Sequence, residues 1–503
     1  MLDMAAGFRT AGHEVLEADL GQVWRAVDQA ASPEDRHVLI SHATRQLHDL
    51  LQQQHIDLTL GMWSSALHTF SRSQGVFDRH RPHTLFDQVD VPHVMYWLDA
   101  PHVADGGVAV DWLPTGIFGS PSLRSVVNNA GTAEEITDVL GFAHAAVVPH
   151  GFNPETFCPS SRSVRSAARR FDLAFSAVDG DPAPTELMVE ELGSEVPDVE
   201  AIRQDEADRV RRTLSQHACW RGLSLVLLDV LIESQLATRD RPVLQRLRTL
   251  RATRPELAAD IDRLLSQPSN YLAAAEILRS IEHWERPFTY AYLARRFRTL
   301  CFGGASWAAW GFAAGDERVI DAGRLAHTAQ PAAYQQARLG LNVMRWRDDV
   351  GTNIKPLEIA GAGTACLCAA RRGLGELLTP GQEVMTFDHP ALAAAQVREA
   401  IARPELADEI AAAGCRRVHR DHTWAARVPD LLAASQGNRP DERYHIQPAE
   451  SGIVETSPVA MDEDLELPDA ADVALRPLVK RLGGRLPMPL VEVVGAHARV
   501  GVR

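Results

Sequence analysis

The chain has 503 residues, 45% of them hydrophobic and 6% aromatic, with a formal net charge of −15. That is enough apolar material for two or three folded domains, and it excludes disordered and fibrous classes. The acidity argues against nucleic-acid binding through a broad basic surface.

Residues 1–157 read as a first Rossmann-like domain in which strand and helix patterns alternate. A helix at 2–11 and a Gly12-His13 turn come first, then a strand at 14–20, a helix at 41–54 and a strand at 56–62. Strands at 92–99 and 112–118, a helix at 123–130 and a strand at 145–149 complete it. Such alternation implies parallel βαβ units, with ligands bound outside the carboxyl ends of the strands. A doubly wound domain places a strand ahead of its first helix, so the opening helix leads to the expectation of a missing upstream strand. No secretory signal is visible at Met1 to Thr10, which lacks a basic start and an apolar run. Asp99, at a strand end, is a candidate general base, and it reads equally well as a turn residue before Ala100-Pro101. His102 and His150 are weaker candidates in a chain with 20 histidines.

Residues 158–170 are polar and Arg-rich and read as a linker, and 171–434 as a second Rossmann-like domain opening on a strand at 171–176. Asp179-Gly180-Asp181-Pro182 reads as a turn, not as a metal-binding motif. About residues 185–297 lack strand signals and show helical spacing, which marks a helical insert. Its most apolar stretch, with Leu223, Val226, Leu227, Val230 and Leu231 on one helix face, is shorter than the roughly 20 residues that cross a bilayer. A strand at 299–302 follows, then one at 339–344, a polar turn at 345–353 and a helix opening Ile354-Lys355-Pro356-Leu357-Glu358. A strand at 364–368 and the segment Gly373-Leu374-Gly375-Glu376 come next. Cys366 and Cys368 are expected on opposite faces of that strand. With Cys158, Cys219, Cys301 and Cys415 they form neither a zinc spacing nor a disulfide framework, which fits a reducing cytoplasm. Residues 435–503 read as a flexible acidic linker and a tail, whose last part could form a helix and a strand.

The segment from Leu341 to Leu378 carries the most chemistry. A helix start behind a turn offers backbone N–H groups and a dipole to an anion. Lys355 and Lys480 are the only lysines in the chain, and Lys355 stands in that first turn. A lysine near a phosphate end and a glutamate near a hydroxyl-rich end suit a nucleotide-sugar. A solvated helix lysine is the plainer alternative.

Tyr334-Gln335-Gln336-Ala337-Arg338-Leu339-Gly340-Leu341-Asn342-Val343, Thr352-Asn353-Ile354-Lys355-Pro356-Leu357-Glu358-Ile359-Ala360-Gly361 and Leu374-Gly375-Glu376-Leu377-Leu378 resemble the C-terminal part of the CgeB-type (spore-maturation) glycosyltransferases. His422-Thr423-Trp424 is similar to a further segment of that part and Tyr96-Trp97-Leu98-Asp99-Ala100-Pro101 to a strand end of the family's first domain, and the exit turn from Val148 to Pro159 resembles the end of the first Rossmann domain in related GT-B enzymes. The resemblance implies an α/β protein of GT-B fold, with two Rossmann-like domains facing a cleft and a group 1-like donor domain. It implies a nucleotide-sugar donor bound by Gly351, Thr352, Asn353, Lys355, Glu358, Gly375 and Glu376, with Glu358 on the ribose hydroxyls. It departs at Val350, where related retaining enzymes carry a glutamate; Asp348 or Asp349 could take that role. Catalytic duty falls to Asp99 and Glu358. His422 and Arg427 read as structural anchors.

The expected activity is transfer of a hexosyl or pentosyl group from a UDP- or GDP-type donor to an acceptor, in the cytoplasm, without cofactor or metal. The alternatives are a nucleotide-sugar-binding scaffold that performs no transfer, and a glycosyltransferase acting on modified DNA or on protein.

Overall fold

The computed structural model describes residues 2–18, 26, 29–62, 84–101, 113, 116–159, 168–177, 182–303, 310, 318–345, 350–437 and a strand at 492–497. Two compact units divide the chain: Met1–Pro149 with Trp424–Arg503, and His150–Thr423.

The first unit is built on six strands: β1 (Glu14–Ala18), β2 (Thr59–Met62), β3 (His93–Tyr96), β4 (Leu123–Val127), β5 (Ala145–Val147) and β12 (Glu492–His497). Their order is β1-β12-β2-β3-β4-β5. Neighbours from β2 to β5 run parallel, whereas β12 runs antiparallel to both β1 and β2. The 473–503 segment thus contributes a strand to this sheet. The helix expected at 123–130 is instead β4, followed by a helix at Ala130–Asp138. Leu123, Ser125, Val126 and Val127 are all buried, as befits an inner strand covered on both faces, and Asn129 caps the helix through Thr132 N–H. The strand expected at 112–118 is replaced at its described end by a 3-10 turn, Ile117–Gly119. The helix expected at 41–54 begins earlier, at Pro33, because Ser32 accepts from Asp35 N–H at 3.1 Å and Pro33 suits a first helical position.

The helix Trp424–Ser435, expected with the second domain, packs in the first unit. Trp424 meets Tyr96 edge-on at 5.3 Å, and Arg427 donates to the Pro149 carbonyl at 3.1 Å. Gly7 of the helix Leu2–Thr10 makes this docking possible, since a Cβ there would lie 2.5 Å from Trp424 Cβ.

His93 is buried in the first unit, stacked on Phe86 at 4.1 Å and bonded through Nδ1 to Thr59 Oγ1 at 2.8 Å. Burial pushes its pKa down to about 3. The unfolded chain therefore takes up a proton near the ordinary histidine value that the folded chain refuses. Stability is full above about pH 6.5 and falls as the pH drops towards 3. Denaturation at pH 7.5 and pH 5 should differ by about 2 kcal/mol more in the native protein than in His93→Phe; equal differences would remove His93 as the cause.

The second unit has a fully parallel sheet in the order β11-β10-β9-β6-β7-β8. Its strands are β6 (Phe171–Ser176), β7 (Thr299–Phe302), β8 (Val319–Asp321), β9 (Ala337–Asn342), β10 (Ala365–Ala369) and β11 (Met385–Phe387). The described end of the expected linker is tightly held: Arg169 is buried and donates to Ala337 O at 2.7 Å and Gly363 O at 3.1 Å. Between β6 and β7 lies the helical insert, including Val199–Gln216, Leu225–Ala237, Val243–Thr253, Pro268–Arg279 and Glu285–Ala294. In Leu225–Ala237 the buried face is Leu227, Leu228, Leu231 and Ile232, and Val226 is exposed, so the expected face is rotated by one residue. Cys366 and Cys368 share one face and one core cluster, because positions two apart on a strand point the same way. Among the described residues no helix is long and apolar enough to cross a membrane.

Candidate active site

β9 and β10 are adjacent central strands, and the segments leaving their carboxyl ends carry most of the expected donor-site residues. β9 ends at Asn342, which is buried. Its side chain donates to Cys368 Sγ at 3.3 Å and accepts from Asn353 Nδ2 at 3.3 Å. Asn353 in turn accepts from Lys355 N–H at 3.1 Å. The helix beginning at Lys355 runs only to Gly361, and Pro356 has no N–H. One expected anion donor is therefore occupied by the Asn353 side chain and the next is absent.

Lys355 and Glu358 meet. Lys355 Nζ lies 2.6 Å from Glu358 Oε2 and donates to Gln330 Oε1 at 2.9 Å. Glu358 is 2% exposed, whereas a quarter of the lysine side chain is open. The ammonium has three donors, so among the described residues a third remains beyond these two bonds. Tyr334 is fully buried; burial, then the Glu358, Tyr290 and Cys366 groups, raise its phenol well above the usual range. Thr352 and Gly351, which precede this pair in the chain, are buried.

On the β10 side, Gly373 N–H donates to Val350 O at 2.9 Å, which ties the two exits together. Gly375 and Glu376 are exposed and lie in the short helix Arg372–Leu377. His422, read as an anchor, contacts Leu377 O through Nε2 at 2.9 Å. Burial alone would raise the Cys368 thiol, but hydrogen bonds with Cys366 and Asn342, aided by Arg371, hold it below the usual range.

Asp99 belongs to the first unit, in a bend three residues beyond the end of β3. His150 is buried in the second unit. His102, Asp179, Asp181, Asp348 and Asp349 lie outside the described residues. Among the described residues no cluster of three or more metal-ligating side chains occurs. Sequence reasoning overlooked Gln330, Tyr334, Arg371 and the side-chain role of Asn342. A polar residue closing an apolar strand was the available signal for Asn342 and Arg371; Gln330 had none.

The family model described as glycosyl transferase-like matches residues 256–433, which include both strand exits. No curated protein matches. Among solved structures, sucrose-phosphate synthase from Thermosynechococcus elongatus is 11% identical over 81% of this chain and 79% of its own, with a TM-score of 0.41. Anabaena Alr3699/HepE in complex with UDP-glucose is 10% identical over 79% of this chain and 82% of its own, with a TM-score of 0.41. A glycosyltransferase from Rickettsia africae is 9% identical over 81% and 83%, with a TM-score of 0.37. The chain is an α/β protein of two Rossmann-like units, and its second unit carries most of a glycosyl transferase-like region.

Proposed function

We propose that the protein is a GT-B glycosyltransferase of the CgeB-like branch, moving a sugar from a UDP- or GDP-type donor to an acceptor without a metal, in the cytoplasm. The observation that carries this reading is the buried Glu358 carboxylate held by Lys355 at the carboxyl end of the central strands, inside the matched region. Glu358 accepts from the ribose hydroxyls, and the open donor of Lys355 meets the diphosphate. Gly351, Thr352 and Asn353 shape the wall, and Gly375 and Glu376 face the sugar. Stabilising the departing diphosphate by fixed donors is an electrostatic effect of about 3–4 kcal/mol per good donor. Asp99 of the first unit takes the acceptor proton.

The test is calorimetric titration with UDP-glucose and GDP-mannose. Lys355→Ala and Glu358→Ala should each weaken binding of the preferred donor by about 10- to 100-fold, the loss expected for a hydrogen bond to a charged group. Unchanged affinity in both variants would remove the proposed donor site. Slow release of free nucleoside diphosphate would separate a transferase from the second reading, a binding protein that performs no transfer, which Val350 favours because it stands where the resemblance calls for an acidic group.

A further inference from the structure

The helical insert ends in Glu285–Ala294, and this helix reaches both strand exits of the candidate site. At the β9 exit, Tyr290 Oη accepts from Val343 N–H at 3.2 Å, and its ring stacks on Phe175 at 4.2 Å. At the β10 exit, Glu285 Oε2 accepts from Arg371 Nη2 at 2.9 Å. Arg371 is the residue at which β10 gives way to Arg372–Leu377, and its other terminal nitrogen donates to Ala370 O at 3.0 Å. The planar guanidinium thus bridges the insert and the turn, a geometry that a lysine cannot reproduce.

Behind Glu285 the charges alternate into the insert. Arg239 pairs with Glu285 at 2.8 Å and with Glu282 at 3.1 Å, and Glu282 pairs with Arg203 at 2.8 Å. On the strand side, Cys368 accepts from Asn342, Asn342 from Asn353, and Asn353 from the amide of Lys355, while the Arg371 charge acts on the Cys368 thiol from a distance. Buried charges paired in this way hold one another in place, since removing one partner leaves the other stranded in low dielectric. The turn they hold is locked in space: a Cβ on Gly373 would lie 2.7 Å from Val350 O.

We propose that Arg371 is a positioning residue of the donor site, held in place by Glu285 of the insert's last helix, so that the insert is part of the donor-binding machinery. This rests on the donor-site reading above. Arg371 fixes the start of the Arg372–Leu377 helix and, through Gly373 and Val350, the segment that delivers Thr352, Asn353 and Lys355 to the ligand.

The experiment compares wild type, Glu358→Ala, Arg371→Lys and the double variant Glu285→Gln/Arg371→Gln. The double variant replaces the ion pair by two neutral amides, and Arg239, which loses the Glu285 charge, keeps Glu282. Each protein is melted and titrated with UDP-glucose and GDP-mannose, and donor hydrolysis is followed for KM and kcat. The double variant should melt cooperatively with an at least tenfold larger donor dissociation constant, the loss appearing in KM more than in kcat. Arg371→Lys should lose about threefold or more in affinity in the fully folded protein, with a modestly lower melting temperature. A purely structural role predicts lower melting temperatures with affinity intact in whatever fraction is folded. Affinity within twofold of wild type in Arg371→Lys, or in a folded double variant, overturns the proposal. If the double variant does not fold, Arg371→Lys decides alone. A wild-type protein that binds neither nucleotide-sugar overturns both readings. Binding lost in Glu358→Ala and kept in the Arg371 variants overturns this one only.

Discussion

Glu282→Ala should destabilise the second unit by about 3–5 kcal/mol, the cost of stripping the partner from buried charges. Its side chain is fully buried, with one oxygen 2.8 Å from Arg203 and the other 3.1 Å from Arg239. Burial works against the Arg239 cation, and the Glu285 and Glu282 carboxylates outweigh it, holding its pKa above the usual range. Without Glu282, Arg203 keeps only Glu200 as an ion partner among the described residues, and that carboxylate is 72% exposed. Glu282→Gln, which keeps acceptor and shape but not charge, should cost less. The measurement is hydrogen exchange resolved along the insert, because a chain of two units need not unfold in one step. As a contrast, Glu256→Ala removes the surface partner of Arg254 and should leave exchange unchanged. Equal protection in Glu282→Ala and wild type would show that water or rearrangement satisfies the arginines.

How much of the fold and the site is legible in the sequence follows from where the information sits. The strands β6 and β7 are readable to the residue because their runs carry aromatic or β-branched residues and have an arginine just before them, which arbitrates a short apolar run that periodicity cannot. β4 reads as a helix because Leu123-Arg124-Ser125-Val126-Val127 is too short for its period to separate helix from strand, and only its place between β3 and β5 decides. The Trp424–Ser435 helix falls to the wrong unit because an amphipathic face does not name the surface it will cover. In the site, Lys355 and Glu358 are visible as a charged pair three apart on a helix. Their mutual contact, the capping of the Lys355 amide by Asn353 and the role of Arg371 are not, because each depends on a partner far away in sequence or on a rotamer. The shared face of Cys366 and Cys368 is legible from the two-residue period of a strand, and the expectation of opposite faces was an error of parity.

Gly340→Val tests whether local preference or packing governs the site. Valine is favoured in strands and glycine is not, so propensity alone predicts a gain. Packing predicts the opposite. A Cβ on Gly340 would lie 2.4 Å from Ile359 Cγ2 and 3.2 Å from its Cγ1. Ile359 has no empty space to retreat into, because it is fully buried on the helix that carries Lys355 and Glu358. That helix is hemmed by two more glycines. A Cβ on Gly361 would lie 2.4 Å from the Phe152 ring, and one on Gly414 would lie 2.5 Å from Glu383 O. Overpacking of this kind costs about 3 kcal/mol. Gly340→Val should therefore lower stability by about that amount and weaken donor binding together with it, because the displaced residue is next to Glu358. Ile359→Ala in the Gly340→Val background should restore part of both, a coupling that a double-mutant cycle measures directly. A Gly340→Val protein as stable as wild type would mean that the helix slides freely over β9, and a helix that slides cannot hold a carboxylate in register with a ribose.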